Sequence, residues 1–237
     1  METPELVLTQ TCAAWGITLS ARQLAQFAAY AEELRIWNER VNLTAITAPA
    51  EIYRRHFLDS LSLALFWGDS PSSLVDIGSG AGFPGLPLAI LQPGLRLTLV
   101  ESVGKKAEFL RHMADLLELV GVRVLTARAE DLGRDRGERH SHSLVTARAV
   151  AELRVLVEYG LPLLKVGGRM LAPKGAAAYD EATAAGRAIK VLGGTMVAVE
   201  PVELPGLDFH AVVIIDKLHP TDPHYPRAPG VPSRNPL

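Results

Sequence analysis

The sequence predicts an α/β protein whose doubly wound, mostly parallel sheet ends in an antiparallel hairpin and is preceded by an N-terminal helical extension. Three observations carry this expectation. Short β-rich runs at residues 74–77, 95–100, 122–125 and 143–146 alternate with helical segments, which is the pattern of successive βαβ units. A Gly-rich stretch from Gly78 to Gly85 follows the first of these runs directly. Two last β-rich runs, at residues 195–204 and 209–218, flank Pro205-Gly206-Leu207-Asp208, a composition suited to a hairpin turn.

The elements follow in order from local chemistry. Ser20-Ala21-Arg22-Gln23 has the form of a capping box, and Leu24, Phe27, Ala28, Ala31, Leu34 and Trp37 recur behind it at helical spacing. After a break at Asn42-Leu43-Thr44, a second helix is expected from near Pro49, with His56, Asp59 and Ser60 on one face. The run at 168–172 supplies a fifth strand, and a helix over 179–192 follows it. Residues 1–70 are thus read as the helical extension, 71–218 as the α/β domain and 219–237 as a tail. Six prolines in that tail predict an extended chain without a core of its own.

Composition narrows the class. A chain of 237 residues that is 48% hydrophobic and 21% charged is an ordinary globular protein. No apolar run is long enough to span a membrane, and the first residues are acidic where a secretory signal is basic and then apolar, so a cytoplasmic protein is expected. The lone Cys12 excludes an internal disulfide and a cysteine metal cluster, and no His pair has zinc spacing, so no metal is expected. A net charge of -2 means that any nucleic-acid site must be a local patch.

The loop Asp76-Ile77-Gly78-Ser79-Gly80-Ala81-Gly82-Phe83-Pro84-Gly85 lies between a buried strand and a helical run at 86–91, where glycines let the backbone turn sharply and approach a ligand. Glu101 ends the next strand, where a carboxylate can accept both hydroxyls of a ribose. Ala129-Glu130-Asp131 follows the third strand, in position to recognise an adenine edge. These features fit NAD and S-adenosylmethionine alike. A dinucleotide, however, sets its pyrophosphate on the N–H groups of the following helix, and Pro84 removes one of those donors. A cofactor without phosphate tolerates that loss, and Asp76 suits the ammonium and sulfonium charges of S-adenosylmethionine. A Rossmann-like class I methyltransferase is therefore expected.

The acceptor atom is narrowed by absence. There is no Pro-Pro-aromatic tetrapeptide of the kind used on amino groups, and Cys12 is remote from the active-site edge of such a fold. A ring nitrogen with a free lone pair, such as guanine N7, needs no general base, so catalysis reduces to alignment in a water-poor site. Two other classes stay open at this point: a non-catalytic RNA- or ribosome-binding protein on the same fold, and a small-molecule methyltransferase.

The motifs Asn42-Leu43-Thr44, His56-Phe57-Leu58-Asp59-Ser60, Asp76 to Gly85, Glu101-Ser102-Val103-Gly104-Lys105-Lys106, Thr146-Ala147-Arg148-Ala149 and Leu171-Ala172-Pro173-Lys174-Gly175 together resemble the bacterial 16S ribosomal RNA guanine-N7 methyltransferases, the RsmG or glucose-inhibited division protein B family. The resemblance implies S-adenosylmethionine as donor and a guanine in the 530 loop of 16S ribosomal RNA as acceptor, with 16S ribosomal RNA or the small ribosomal subunit as partner. It implies a cofactor site lined by Gly78, Phe83, Glu101, Ser102, Val103, Ala129, Glu130 and Arg148, to which the loop chemistry adds Gly80. Arg148, after the fourth strand, is the expected positioning residue for the base, with His56, Lys105, Lys106 and Lys174 as further candidates for the RNA face. Phe209-His210 stands where many relatives carry Arg-His. A monomer is expected.

Overall fold

Strands β1 (Ser73–Ile77), β2 (Arg96–Val100), β3 (Val122–Leu125), β4 (His142–Ala147), β5 (Leu164–Lys174), β6 (Gly194–Pro201) and β7 (Ala211–Lys217) form one sheet in the computed structural model, which describes residues 2–237. Met1, the first residue of the expected helical extension, lies outside the described residues. The strand order is β3-β2-β1-β4-β5-β7-β6. Pairings through β5 are parallel, whereas β7 lies antiparallel to both β5 and β6. The chain therefore starts at the centre, winds outward twice, and closes one edge with the expected hairpin.

Period-2 alternation divides the strand residues between two cores. Leu74, Leu97, Leu99, Leu144, Leu171, Val212 and Ile214 face one side, where α1 (Pro4–Ala14), α2 (Ala21–Val41), α3 (Pro49–Ile52), α4 (Asp59–Ser62), α5 (Gly85–Leu91) and α6 (Gly104–Leu116) cover them. Val75, Ile77, Val100, Val145, Ala147, Met170, Val213 and Ile215 face the other, under α7 (Ala129–Leu132), α8 (Leu153–Gly160) and α9 (Ala178–Val191).

The helical extension is part of the first of these layers. Ser20 and Gln23 form the capping box at the start of α2, and the Gln23 amide also donates to the carbonyls of Ile90 and Leu91, which tie α2 to the end of α5. Asn42 ends α2 in the left-handed region, while Asn38 Oδ1 accepts from the N–H groups of Leu43 and Thr44. Pro49 opens α3 at its first turn, where a missing N–H costs no hydrogen bond. Between α3 and α4 the chain is a π-helical segment, Tyr53–Leu58, a widening that often accompanies functional sites.

The tail is extended, yet it is docked rather than loose. Thr221, Pro226 and Pro232 are buried, and a short helix α10 (Val231–Arg234) ends it. The hairpin strands are shorter than the sequence runs, because only Val202 N–H to His210 O extends the ladder toward the turn at Gly206. Among the described residues no helix is long and apolar enough to cross a membrane, and no cluster of His, Cys, Asp and Glu could hold a metal ion.

Candidate active site

The C-terminal ends of β1, β2, β3 and β4 meet at the point where the sheet order reverses, which is where ligands sit in open α/β folds. The loop after β1 is shaped by its glycines. Gly78 has φ +66, and a Cβ there would lie 2.5 Å from Val150 Cγ2. At Gly82, φ +92, a Cβ would lie 2.4 Å from Leu86 Cδ1. Neither position admits a side chain. Tyr30, fully buried on α2, donates its hydroxyl to Ala81 O at 2.5 Å and stacks on Phe83 with ring centres 5.1 Å apart. The helical extension thus fixes the loop from below.

Glu101 is buried, and its carboxylate accepts from Gly80 N–H at 2.9 Å and from Val103 N–H at 2.8 Å. Both oxygens are held in place, and each keeps a lone pair for a ligand. Asp76, at the end of β1, has no exposure. Its Oδ2 accepts from Gly85 N–H at 3.2 Å, whereas Oδ1 has no partner. Burial pushes this carboxyl up to about 7, against the pull of the Gly85 N–H and the Arg148 charge. An orphaned buried oxygen, a side-chain-free cradle and a pinned carboxylate fit a nucleoside that carries a cationic tail.

A cavity of about 160 Å³ lies beside this loop, with Gly78, Ser102, Ala129 and Glu130 among its walls, whereas Asp76, Gly80, Glu101 and Arg148 do not line it. Of the predicted cofactor residues, Phe83 is buried, 4% exposed, and Val103 is exposed, and neither lines this cavity. Glu130 is buried and Oε1 accepts from Gly230 N–H in the tail, a partner that sequence spacing gives no means of anticipating.

Beyond Val150 lies a second cavity of about 440 Å³, walled by Arg148, Lys174, Glu181 and His210. Arg148 donates through Nη1 to Asp59 Oδ2 at 2.5 Å and to Arg55 O at 3.0 Å, and through Nη2 to His56 Nδ1 at 3.0 Å. Its guanidinium carbon lies 5.1 Å from the Phe83 ring centre, and His56 stacks on that ring with centres 4.3 Å apart. The next residue, Ala149, has φ +55, a conformation strained for a residue with a Cβ, so the turn that presents Arg148 is imposed by its surroundings.

Charges in this network are settled by packing. Burial and the Arg148 charge lower the His56 pKa to about 3. The ring is therefore neutral, accepts at Nδ1 and donates from Nε2 to Thr44 Oγ1 at 2.9 Å. Burial pushes the Asp59 carboxyl up, but His210 and Arg148 together hold it below the usual range. His210 Nε2 lies 2.5 Å from Asp59 Oδ1. Asp59 so lies between two cavity residues, Arg148 after β4 and His210 before β7.

The other RNA-face candidates separate. His56 is 7% exposed, with both ring nitrogens engaged inside the protein. Lys174 donates to Ala151 O at 2.9 Å and pairs with Glu181 at 2.7 Å on the cavity wall. Lys105 is exposed and Lys106 half-buried in the first turn of α6, and neither has a salt bridge among the described residues. Tyr30, Val150 and Tyr159 read in the sequence as core hydrophobes and are not singled out there, while His210, noted only within Phe209-His210 as a departure from relatives, also stands on a cavity wall.

The strand order, the glycine cradle and the acidic strand ends define an S-adenosylmethionine-dependent methyltransferase, and solved structures share that fold. An S-adenosylmethionine-dependent O-methyltransferase from Thermotoga maritima superposes with a TM-score of 0.55 at 14% identity, covering 80% of this chain and 72% of that one. TYW2 of M. jannaschii, solved with AdoMet, gives 0.54 at 14% identity over 69% and 76%. The chain belongs to the GidB family, rRNA small subunit methyltransferase G, whose model matches residues 23–206. Proteins named ribosomal RNA small subunit methyltransferase G are similar over nearly the whole chain. That of Roseiflexus castenholzii is 59% identical, covering 97% of this chain and 98% of the relative, and that of Bacillus cereus strain B4264 is 46% identical over 94% of each.

Proposed function

We propose that this protein transfers the methyl group of S-adenosylmethionine to N7 of a guanine in the 530 loop of 16S ribosomal RNA. The observation that carries the acceptor is the set of donors around the larger cavity. Guanine presents two acceptors side by side, O6 and N7, on its major-groove edge. Arg148 keeps its Nε hydrogen and one Nη2 hydrogen without a partner among the described residues, and Lys174 stands on the same wall. The donors on this wall take O6 of that edge, which leaves the single N7 lone pair free to face the neighbouring cofactor cavity across Val150.

S-adenosylmethionine, when bound, supplies an electrophilic methyl group on a sulfonium. Gly78, Gly80, Glu101, Ser102, Val103, Ala129 and Glu130 are assigned to the nucleoside end, and Asp76 to the cationic end. Glu101, fixed by two backbone N–H groups, orients the ribose. Phe83, Asp59 and neutral His56 hold the guanidinium of Arg148, so the base is positioned without reorganisation when it arrives. The attacking lone pair carries no proton, so no residue need act as a base. Lys105 and Lys106 track phosphate outside the cavity.

The substrate base has to be splayed out of its stack to reach this depth. Small subunits lacking the modification, incubated with radiolabelled cofactor and mapped by N7-specific strand cleavage, should show one cleavage in the 530 loop. Label at a pyrimidine, at an exocyclic amine or at no position would overturn the acceptor. A salt titration checks the RNA reading: log affinity should fall by roughly 0.7 to 0.9 per phosphate contacted, whereas a small neutral substrate would hardly respond.

A further inference from the structure

The cofactor cavity is not closed by the methyltransferase domain alone. Its inner walls are apolar, from Ile77, Val100, Ala129 and Val150. Its outer wall holds Gly230 and Ser233, which belong to the C-terminal tail and lie beyond residue 206, where the match to the family model ends. Ser233 Oγ is 2.8 Å from the hydroxyl of Tyr159, which lines the same cavity from α8. Gly230, with φ +79, gives its N–H to Glu130 Oε1 at 2.9 Å.

These contacts are held by anchors placed ahead of them in the chain. Arg139 donates to three tail carbonyls, those of Thr221, Asp222 and Tyr225. Arg134 Nε donates to Pro226 O at 2.9 Å. Gly133 leaves room for the same proline, since a Cβ there would lie 2.8 Å from Pro226 Cγ. Arg227 forms a two-pronged ion pair with Glu158, which has no exposure, with Nη2 to Oε2 at 2.6 Å and Nε to Oε1 at 2.9 Å. Burying such a pair seldom adds net stability over apolar packing. Its effect is positional: these anchoring side chains come from the segment 130–139 and from α8, which also give Glu130 and Tyr159 to the cavity wall, while His140 and Lys217 hold Thr221 where the tail begins.

We infer that residues 230–233 are a cofactor-binding element, with the Ser233 hydroxyl and the Gly230 backbone completing the adenine end of the pocket. The wall combines hydroxyl groups of Ser233 and Tyr159, which both donate and accept, with the acceptor-only carboxylate of Glu130. Adenine presents an amino donor beside ring-nitrogen acceptors, so this edge meets a matching mixed set while its faces rest on the apolar side chains. Glu130, predicted to read the adenine itself, orders the wall as well.

This inference rests on the assignment of the smaller cavity to the nucleoside, and calorimetry on the full protein separates the two. Wild-type protein is titrated with S-adenosylmethionine, S-adenosylhomocysteine and adenosine. No binding of any of them would remove the assignment itself. With binding established, a chain ending at Pro229 keeps the Arg227 anchor and loses the wall, and Ser233→Tyr keeps all anchors and adds bulk at the wall. Both should bind each of the three ligands at least tenfold more weakly, about 1.4 kcal/mol, with Ser233→Tyr melting as the wild type does. Wild-type affinity in Ser233→Tyr, or in the shortened chain when it folds, overturns the inference. Loss of RNA binding with cofactor affinity intact overturns it too, and would make the tail an RNA arm.

Discussion

Arg148 on the loop after β4 and Asp59 at the start of α4, 89 residues apart in sequence, meet at 2.5 Å with the carboxylate almost fully buried. The pair joins the segment after α3 to the C-terminal edge of the sheet. Replacing Arg148 with Ala leaves Asp59 to the His210 contact alone, and breaking a buried pair in this way costs about 3–5 kcal/mol of stability. Methyl transfer should fall on the order of 10²-fold through misplacement of the base, and cofactor affinity should change far less. Single-turnover rates beside calorimetric affinities check this, and an equal loss in both would place Arg148 on the cofactor instead. Arg148→Lys should recover charge but not rate, because an ammonium cannot hold Asp59, His56 and a base edge at once.

Glu101→Ala removes charge-assisted hydrogen bonds of about 1.5–3 kcal/mol, so cofactor affinity should drop roughly 10- to 100-fold. Glu101→Gln keeps an acceptor for either Gly80 or Val103 and should lose less. Isothermal calorimetry with S-adenosylhomocysteine reads both, and unchanged affinity for Glu101→Ala would take this residue out of the site.

At Gly78 the two constraints compound. A side chain at φ +66 costs roughly 1–2 kcal/mol, and the new Cβ must also displace Val150, which borders both cavities. Gly78→Ala should therefore weaken the cofactor and slow transfer together. A melting temperature lowered with binding intact would assign the glycine to folding alone.

Most strands are legible because alternation and punctuation agree. Residues 122–125 form a strand with the limits that the sequence suggests, and the helix over 179–192 is displaced by one residue. β5 begins at Leu164, ahead of Gly167-Gly168, because a register shift lets His142 pair with Leu164 where glycines look like a boundary. The π-helical segment is invisible in the sequence, and within it Phe57 packs among Phe27, Tyr30 and Tyr53, contacts that no local pattern announces. Glycine loop and Glu101 could be found because their chemistry is local. The Asp59 pair, the Tyr30 prop and the tail wall could not, because each depends on contacts across 50 to 100 positions that carry no periodic signal.

Arg227→Ala leaves Glu158 with no exposure and no counter-charge, a loss of about 3–5 kcal/mol. The double change Arg227→Met with Glu158→Leu removes both charges and should restore most of that stability, since apolar replacement of a buried pair is often neutral. Urea denaturation of the three proteins is the check. A double variant as unstable as the single one would mean that the tail depends on this pair for more than compensation of charge.

Lys217, on β7 with no exposure, donates through Nζ to Leu192 O at 2.6 Å and also contacts Thr221, where the tail departs. Burial, reinforced by the nearby Arg139 charge, lowers its pKa from 10.5 to about 7. In the unfolded chain the amine keeps its proton up to the ordinary value, while the folded protein gives it up from about 7. Between those limits the unfolded state binds more protons, so stability rises with pH. Below about 7 both states are protonated and this group contributes no further slope, only the constant penalty of a buried charge. Lys217→Met removes the penalty together with its pH dependence. Urea midpoints should therefore show the variant more stable relative to wild type at pH 6 than at pH 9.5, with the gap closing across that interval. Parallel curves would mean that Lys217 keeps its proton when buried, held by the Leu192 carbonyl and the Thr221 hydroxyl.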